Sequence, residues 1–214
     1  MTNSISLDVL STDNSNNSCE RRDAAANRQL LLETAVRLFD EHGVHNVNMA
    51  DIAKEAGVGK GTLYRRFSNK GDLCLQLLDK QLQNFQDGVL LHLRQMTVAG
   101  HPYMEQLDYV LDLLVAFVSD NLPLMVEIEL APPVDDMVNP DINVPHFWQE
   151  MTVRALLERA AAADELPSDL DIYYVASAIM AALNARVIRY QLEVQGFTVQ
   201  RISAGLRAIV GCLS

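Results

Sequence analysis

An all-α architecture is predicted, with an N-terminal three-helix headpiece that carries a helix-turn-helix, followed by a larger helical body. Three features predict it. Apolar residues recur at spacings of three and four in one segment after another, no segment reads as a strand pair, and residues 48–70 hold two short amphipathic helices joined at a glycine. A chain of 214 residues can bury a substantial core, and it suits a small headpiece plus one helical domain better than two large units. The implied division is a tail over 1–20, a headpiece over 21–70 and a body over 71–214.

The tail contains Ser-Thr-Asp-Asn-Ser-Asn-Asn-Ser and is expected to be disordered, because so polar a run buries too little to offset the entropy of ordering. Arg21 and Arg22 follow it, suited either to a basic arm in a minor groove or to a solvated helix start.

Asn48 is placed to cap a helix that starts at about Met49, and Asp51 adds negative charge to its first turn. Met49, Ile52, Ala53 and Ala56 form one buried stripe, with the two alanines allowing a second helix to approach closely. Gly57 ends the helix, since glycine enters the left-handed region without steric penalty, and Val58 fills the angle. The next helix is expected over roughly 60–67, with Leu63 and Phe67 facing the core. Lys60, Gly61, Thr62, Tyr64 and Arg65 are left on the other side, where a helix in a major groove offers base-edge and phosphate contacts. Between Gly59 and Lys70 stand Lys60, Arg65, Arg66 and Lys70 and no acid. A run of charge is more often a solvated face. Here the turn glycine, the apolar register and the one-sided charge agree, and double-stranded DNA is the expected partner.

The run from Ile52 to Phe67, then Asn69, Lys70 and Leu73, resembles the signature of the TetR family of transcriptional regulators. Arg28 to Leu31, Ala35, Leu38, Phe39 and Gly43 resemble that family's first helix and the glycine that closes it. Beyond these positions the likeness extends only to length and helical pattern. The resemblance implies that Asn48 caps and meets a phosphate, that Lys60, Thr62 and Tyr64 contact DNA, that Lys70 grips the backbone and that Arg28 reaches a phosphate. With Gly59, Gly61 and Arg65 these make up the candidate DNA-binding set. Two residues depart from the pattern. Gly59 replaces a Ser or Thr cap, at a cost of about a few tenths of a kcal/mol. Arg66 replaces a histidine, and either adds a phosphate contact or is solvent-exposed.

The formal charge of -11 is unevenly divided. Residues 21–70 hold nine Lys/Arg against six Asp/Glu, whereas residues 71–214 hold eight against nineteen. The acidity lies away from the reading head, where it either orients the basic end toward a duplex or simply keeps the body soluble. There is no signal peptide pattern, and no apolar run approaches the roughly 18 residues needed to span a bilayer. A soluble cytoplasmic protein without membrane attachment is expected. Cys19, Cys74 and Cys212 lack metal-type pairing and read as free thiols, Cys19 being the most accessible candidate for redox chemistry. No metal motif, nucleophile–base constellation or phosphate loop is present, so neither an enzyme nor a cofactor is expected.

In the body, a long helix from about Gly71 should carry Leu73, Leu77, Leu78, Leu82 and Phe85. Further helices are expected over 102–120, 145–163, 170–194 and 199–213, with Thr198 capping the last and a loop over 131–145. The last two should form a dimer seam through Ala178, Ala181, Ala182, Ala185, Ile202, Leu206, Ile209 and Leu213; in the alternative, both stripes pack within one chain. The resemblance implies a four-helix seam and an effector pocket within the middle helices. Pocket candidates are Phe85, Leu93, Met96, Leu107, Leu111, Leu114, Phe117, Met125, Phe147, Trp148, Met151 and Tyr174. Six of the eight methionines lie in the body, where thioethers suit an adaptable apolar cavity, although each such residue also suits plain core. Glu127 and Glu129 could meet a cationic ligand, but alternation around Val126 and Ile128 points both outward. The expected function is a homodimeric repressor that leaves a palindromic operator when a small apolar effector binds. The alternative is a DNA-bound scaffold regulated by a protein partner.

Overall fold

The computed structural model describes residues 13–131 and 145–213, with side chains from 25 to 131 and from 148 to 213. The 131–145 loop and Phe147, Cys19, Arg21 and Arg22 as side chains fall outside those limits. Packing divides the chain into Met1–Asn69 and Lys70–Ser214. All regular structure among the described residues is helical.

The first unit opens with α1 (Asp13–His42), which reaches into the stretch that composition assigns to a disordered tail. Once a helix is nucleated each added residue gains a hydrogen bond, so a polar segment can extend one that is anchored elsewhere. Leu31, Ala35, Leu38 and Phe39 anchor α1 in the core at spacings of four, three and one. Gly43, at φ 81°, lets the chain leave the helix, its amide donating to the Phe39 carbonyl at 2.8 Å. After a 3-10 turn at Val44–Asn46 come α2 (Met49–Glu55) and α3 (Lys60–Tyr64). Ile52 and Ala53 complete this small core, and an Arg37–Glu55 ion pair at 2.7 Å fastens α1 to α2.

The second unit comprises α4 (Lys70–Ala99), α5 (Tyr103–Asp120), α6 (Leu122–Leu130), α7 (Pro145–Ala162), α8 (Ile172–Ala182), α9 (Ala185–Glu193) and α10 (Val199–Gly211). Helix α5 is the hub: Leu107, Val110, Leu111, Leu114, Val115 and Val118 are all buried, and α4, α6, α7, α9 and α10 pack around it. Its first amides, Tyr103 N and Met104 N, donate to Glu165 at 2.9 and 2.8 Å, a carboxylate placed where the helix dipole favours negative charge.

Three expectations are corrected. The helix expected over 170–194 is two helices, because the Asn184 side chain accepts from Arg186 N and Val187 N and so starts α9 afresh. Helix α6 is absent from the sequence reading. It turns 87° from α5 and begins with Pro123 in its first turn. Its helical geometry also overturns the outward alternation read for Glu127 and Glu129, since residues two apart in a helix leave in nearly opposite directions. Glu129 accepts from Ala185 N at 2.7 Å and Arg186 N at 3.4 Å, while Glu127 pairs with Lys70.

Candidate nucleic-acid interface

The helix-turn-helix is built from caps. Asn48 Oδ1 accepts from Ala50 N at 2.9 Å and Asp51 N at 3.1 Å, and Asp51 Oδ2 accepts from Asn48 N at 3.0 Å, so the first amides of α2 are satisfied reciprocally. At the other end Gly57 sits at φ 67°, and Val58 N donates to Ala53 O at 3.0 Å. The chain thus reverses within three residues and enters α3.

Leu63 and Phe67 are 0% exposed and fix the rotation of the second helix about its axis. That rotation leaves Lys60, Gly61, Arg65 and Tyr64 exposed and Thr62 half-buried. Regular α-helix stops at Tyr64, earlier than the expected residue 67, and the Arg66 and Phe67 amides still donate to Leu63 O. Gly59 occupies the cap in an extended conformation (φ −69°, ψ 144°) open to any residue, and no side chain caps the helix. Among the described residues, a β-carbon added at Gly59 or Gly61 would meet nothing within 4 Å beyond its own stretch of backbone. The fold therefore does not require either glycine, and in a helix glycine costs up to about 1 kcal/mol relative to alanine. An outer surface that must come close to another backbone does require it.

The other candidate side chains differ in setting. Arg28 lies on the exposed side of α1. Arg66 is half-buried, with its Nε enclosed and without a hydrogen-bond acceptor, and so is not a simply solvated residue. Lys70, the first residue of α4, pairs with Glu127 of α6 at 3.0 Å, their side chains 17% and 18% exposed. Cys74, one turn further along α4, is fully buried. Burial pushes its thiol up to about 12, with Glu127 adding to the rise and Lys70 opposing it.

Among the pocket candidates, Leu107, Leu111, Leu114, Phe117 and Met125 form the centre of the body with Met96 at its edge. Phe85 lies 4.5 Å from Phe117 and 6.1 Å, edge-on, from Trp148, so three helices contribute one aromatic cluster. Leu93 packs partly against the same core. A concavity of about 300 Å³ opens beside it, lined by Phe85, Val89, Leu91, His92, Tyr109 and Leu113. Met151 and Tyr174, 40% and 73% exposed, lie on outer faces of α7 and α8 and do not join this cluster. The apolar spacing missed Gln149, whose polar type hid it: it is 2% exposed, and its Nε2 has no acceptor among the described residues.

The seam candidates also divide. Ala185, at the start of α9, is buried in its own chain, as are Ile202 and Leu206, because the α10 stripe of Ile202, Ser203, Leu206 and Val210 faces inward, and Leu213 packs partly against the same core. Ala178, Ala181 and Ile209 are exposed and Ala182 is half-buried, beside exposed Tyr173, Tyr174, Val187 and Tyr190.

A capped helix-turn-helix with a cationic outer face, set before a helical body, defines a DNA-binding transcriptional regulator. Residues 31–77 match the model of bacterial regulatory proteins of the tetR family. The HTH-type transcriptional regulator SAR2658 of Staphylococcus aureus (strain MRSA252) is 34% identical over 182 residues, covering 84% of this chain and 90% of its own length. The chain belongs to the TetR family of helix-turn-helix transcriptional regulators. Among solved structures, the regulator FadR from Bacillus subtilis, in complex with stearoyl-CoA, aligns with a TM-score of 0.61 at 19% identity, over 85% of this chain and 96% of its own. FadR from Thermus thermophilus, a repressor in complex with lauroyl-CoA, aligns at 0.62 and 18%, over 87% and 95%. Among the described residues no single helix is long and apolar enough to cross a membrane.

Proposed function

We propose that the protein is a homodimeric repressor that occupies a roughly palindromic operator and is released when an apolar effector enters the body. The observation that carries this reading is α3 with the turn that follows it, where Leu63 and Phe67 are locked inward while Lys60, Gly61, Tyr64 and Arg65 are presented outward. Lys60, Thr62 and Tyr64 read base edges, and Arg28, Asn48, Arg65 and Lys70 position the headpiece on phosphates. The Gly59 and Gly61 backbone lets the duplex approach.

The exposed apolar residues of α8, α9 and α10, among them Ala178, Ala181, Val187, Tyr190 and Ile209, support pairing of two chains, since a monomer would leave them in water. The effector class rests on the aromatic cluster of Phe85, Phe117 and Trp148, with Gln149 offering a buried donor nearby in sequence. Structural neighbours hold stearoyl-CoA and lauroyl-CoA, so an acyl chain with a polar carbonyl is the class to test first. Release works by population shift: only an effector that binds better to the dimer with wrongly spaced reading heads can lower DNA affinity.

The test selects operator fragments with purified protein and repeats the binding with Lys60→Ala and Tyr64→Ala. Both variants should stay folded and lose sequence-specific binding, and a panel of acyl thioesters should contain one that releases the wild type. Tight specific binding by both variants would remove α3 as the reading helix. Release by no small apolar molecule, but by a protein partner, would favour the scaffold alternative.

A further inference from the structure

We infer that Glu127 competes with DNA phosphate for the Lys70 ammonium, so that the positive charge offered at the start of α4 is set by the position of α6. This rests on the reading of Lys70 as a phosphate contact. The pair is neither a loose nor a fully solvated one: Nζ and Oε1 are 3.0 Å apart, and both side chains are more than four-fifths shielded. A carboxylate this close cancels most of the field that a phosphate would feel, and shielding preserves the cancellation at salt concentrations that screen surface charge.

The second observation is what holds α6. This helix has nine residues, and it is tied at two points that face different elements. Glu127 reaches Lys70, while Glu129 closes on the first amides of α9 at 2.7 and 3.4 Å. Leu122, Met125 and Val126 meanwhile bury its apolar side in the core around α5. Any rearrangement of the core or of α9 that moves α6 therefore moves the carboxylate beside Lys70. With Glu127 in place the lysine adds little net charge toward a duplex, and with Glu127 drawn away it adds one. Glu127 acts through Lys70 and touches no DNA, so it is a positioning residue.

Glu127→Gln removes the charge, keeps the side-chain size and leaves an oxygen that accepts one ammonium proton. Measured on the full-length protein against operator and random duplexes over a range of salt, the variant should bind both about fivefold more tightly near physiological salt. Its log K against log salt plot should steepen by about 0.9, the slope of one further phosphate contact. Glu127→Asp, which withdraws the carboxylate by one methylene, should change binding in the same direction by less, and provides the test if the glutamine variant does not fold. Lys70→Met/Glu127→Gln, which leaves no buried charge unpaired, should lose the gain and return to about the wild-type slope. An unchanged slope in both Glu127 variants, or weaker binding by them, overturns the inference. If the slope is unchanged in the Glu127 variants and in the double variant alike, it is the phosphate role of Lys70 that fails; if the double variant is shallower while Glu127→Gln matches the wild type, only the competition fails.

Discussion

Gly61 lets the demands of the fold be tested apart from those that the proposed reading assigns to DNA. It lies inside α3 with open space where a β-carbon would stand, so Gly61→Ala should stabilise the protein by about 0.5–1 kcal/mol, read as a higher denaturation midpoint. On the proposed reading the same methyl group should weaken operator binding, because α3 would turn it toward the duplex. A variant that is more stable and binds as well as the wild type would mean that the glycine serves no close approach. Cys74 gives a test of burial. Its thiol is neutral when protonated and its folded pKa, about 12, lies above the ordinary value of 9.0. The corresponding stability is fully present below about pH 9 and is lost as pH rises through 12, with each pH unit between those two values worth about 1.4 kcal/mol. Denaturation between about pH 8 and 11 should therefore show a steeper loss of stability in the wild type than in Cys74→Ala, and at about pH 8 the native Cys74 should resist thiol reagents.

At the scale of elements, caps decide where helices begin. The reciprocal bonds of Asn48 and Asp51 make Asn48→Ala about 1 kcal/mol destabilising, which urea unfolding would register as a lower midpoint. This cap could be read from the sequence because donor and acceptor are three residues apart. So could Gly57, the inward face of Leu63 and Phe67, and Thr198, which accepts from Arg201 N at 3.1 Å. What was not legible depends on partners distant in the chain. Glu129 closes on Ala185 and Glu127 on Lys70, and neither spacing leaves a local trace, so α6 reads as an alternating outward stretch. The break before α9 is hidden by the apolar pattern that runs through Leu183, although Asn184 is a visible cap signal. In α10 the stripe is recognisable but its side is not: a helix with two apolar faces gives no indication which one its own chain will cover, and here Ile202 and Leu206 turn inward and Ile209 outward. Met151 and Tyr174 resemble pocket residues for the same reason, since residue type reports hydrophobicity but not direction.

For the whole molecule, charge and pairing are linked. The basic balance of residues 21–70 against the strongly acidic 71–214 places the net attraction for DNA in one part of each chain, and on the proposed reading two such parts span successive grooves. Ile209 is 69% exposed, so Ile209→Glu should leave each chain folded within about 0.5 kcal/mol, the usual range for surface positions. It should nevertheless split the dimer in sedimentation and cost most of the operator affinity, because binding through one half-site forgoes the second. A dimer that survives this charge would place the seam elsewhere. The most direct test of paired reading heads is selection of duplexes from a random pool by the purified protein at physiological salt, followed by the mass of the complex formed. The predicted outcome is an inverted repeat whose half-sites lie about one helical turn, or a multiple of it, apart, with chains bound in pairs. A single chain on each duplex with no preference for base order would contradict it.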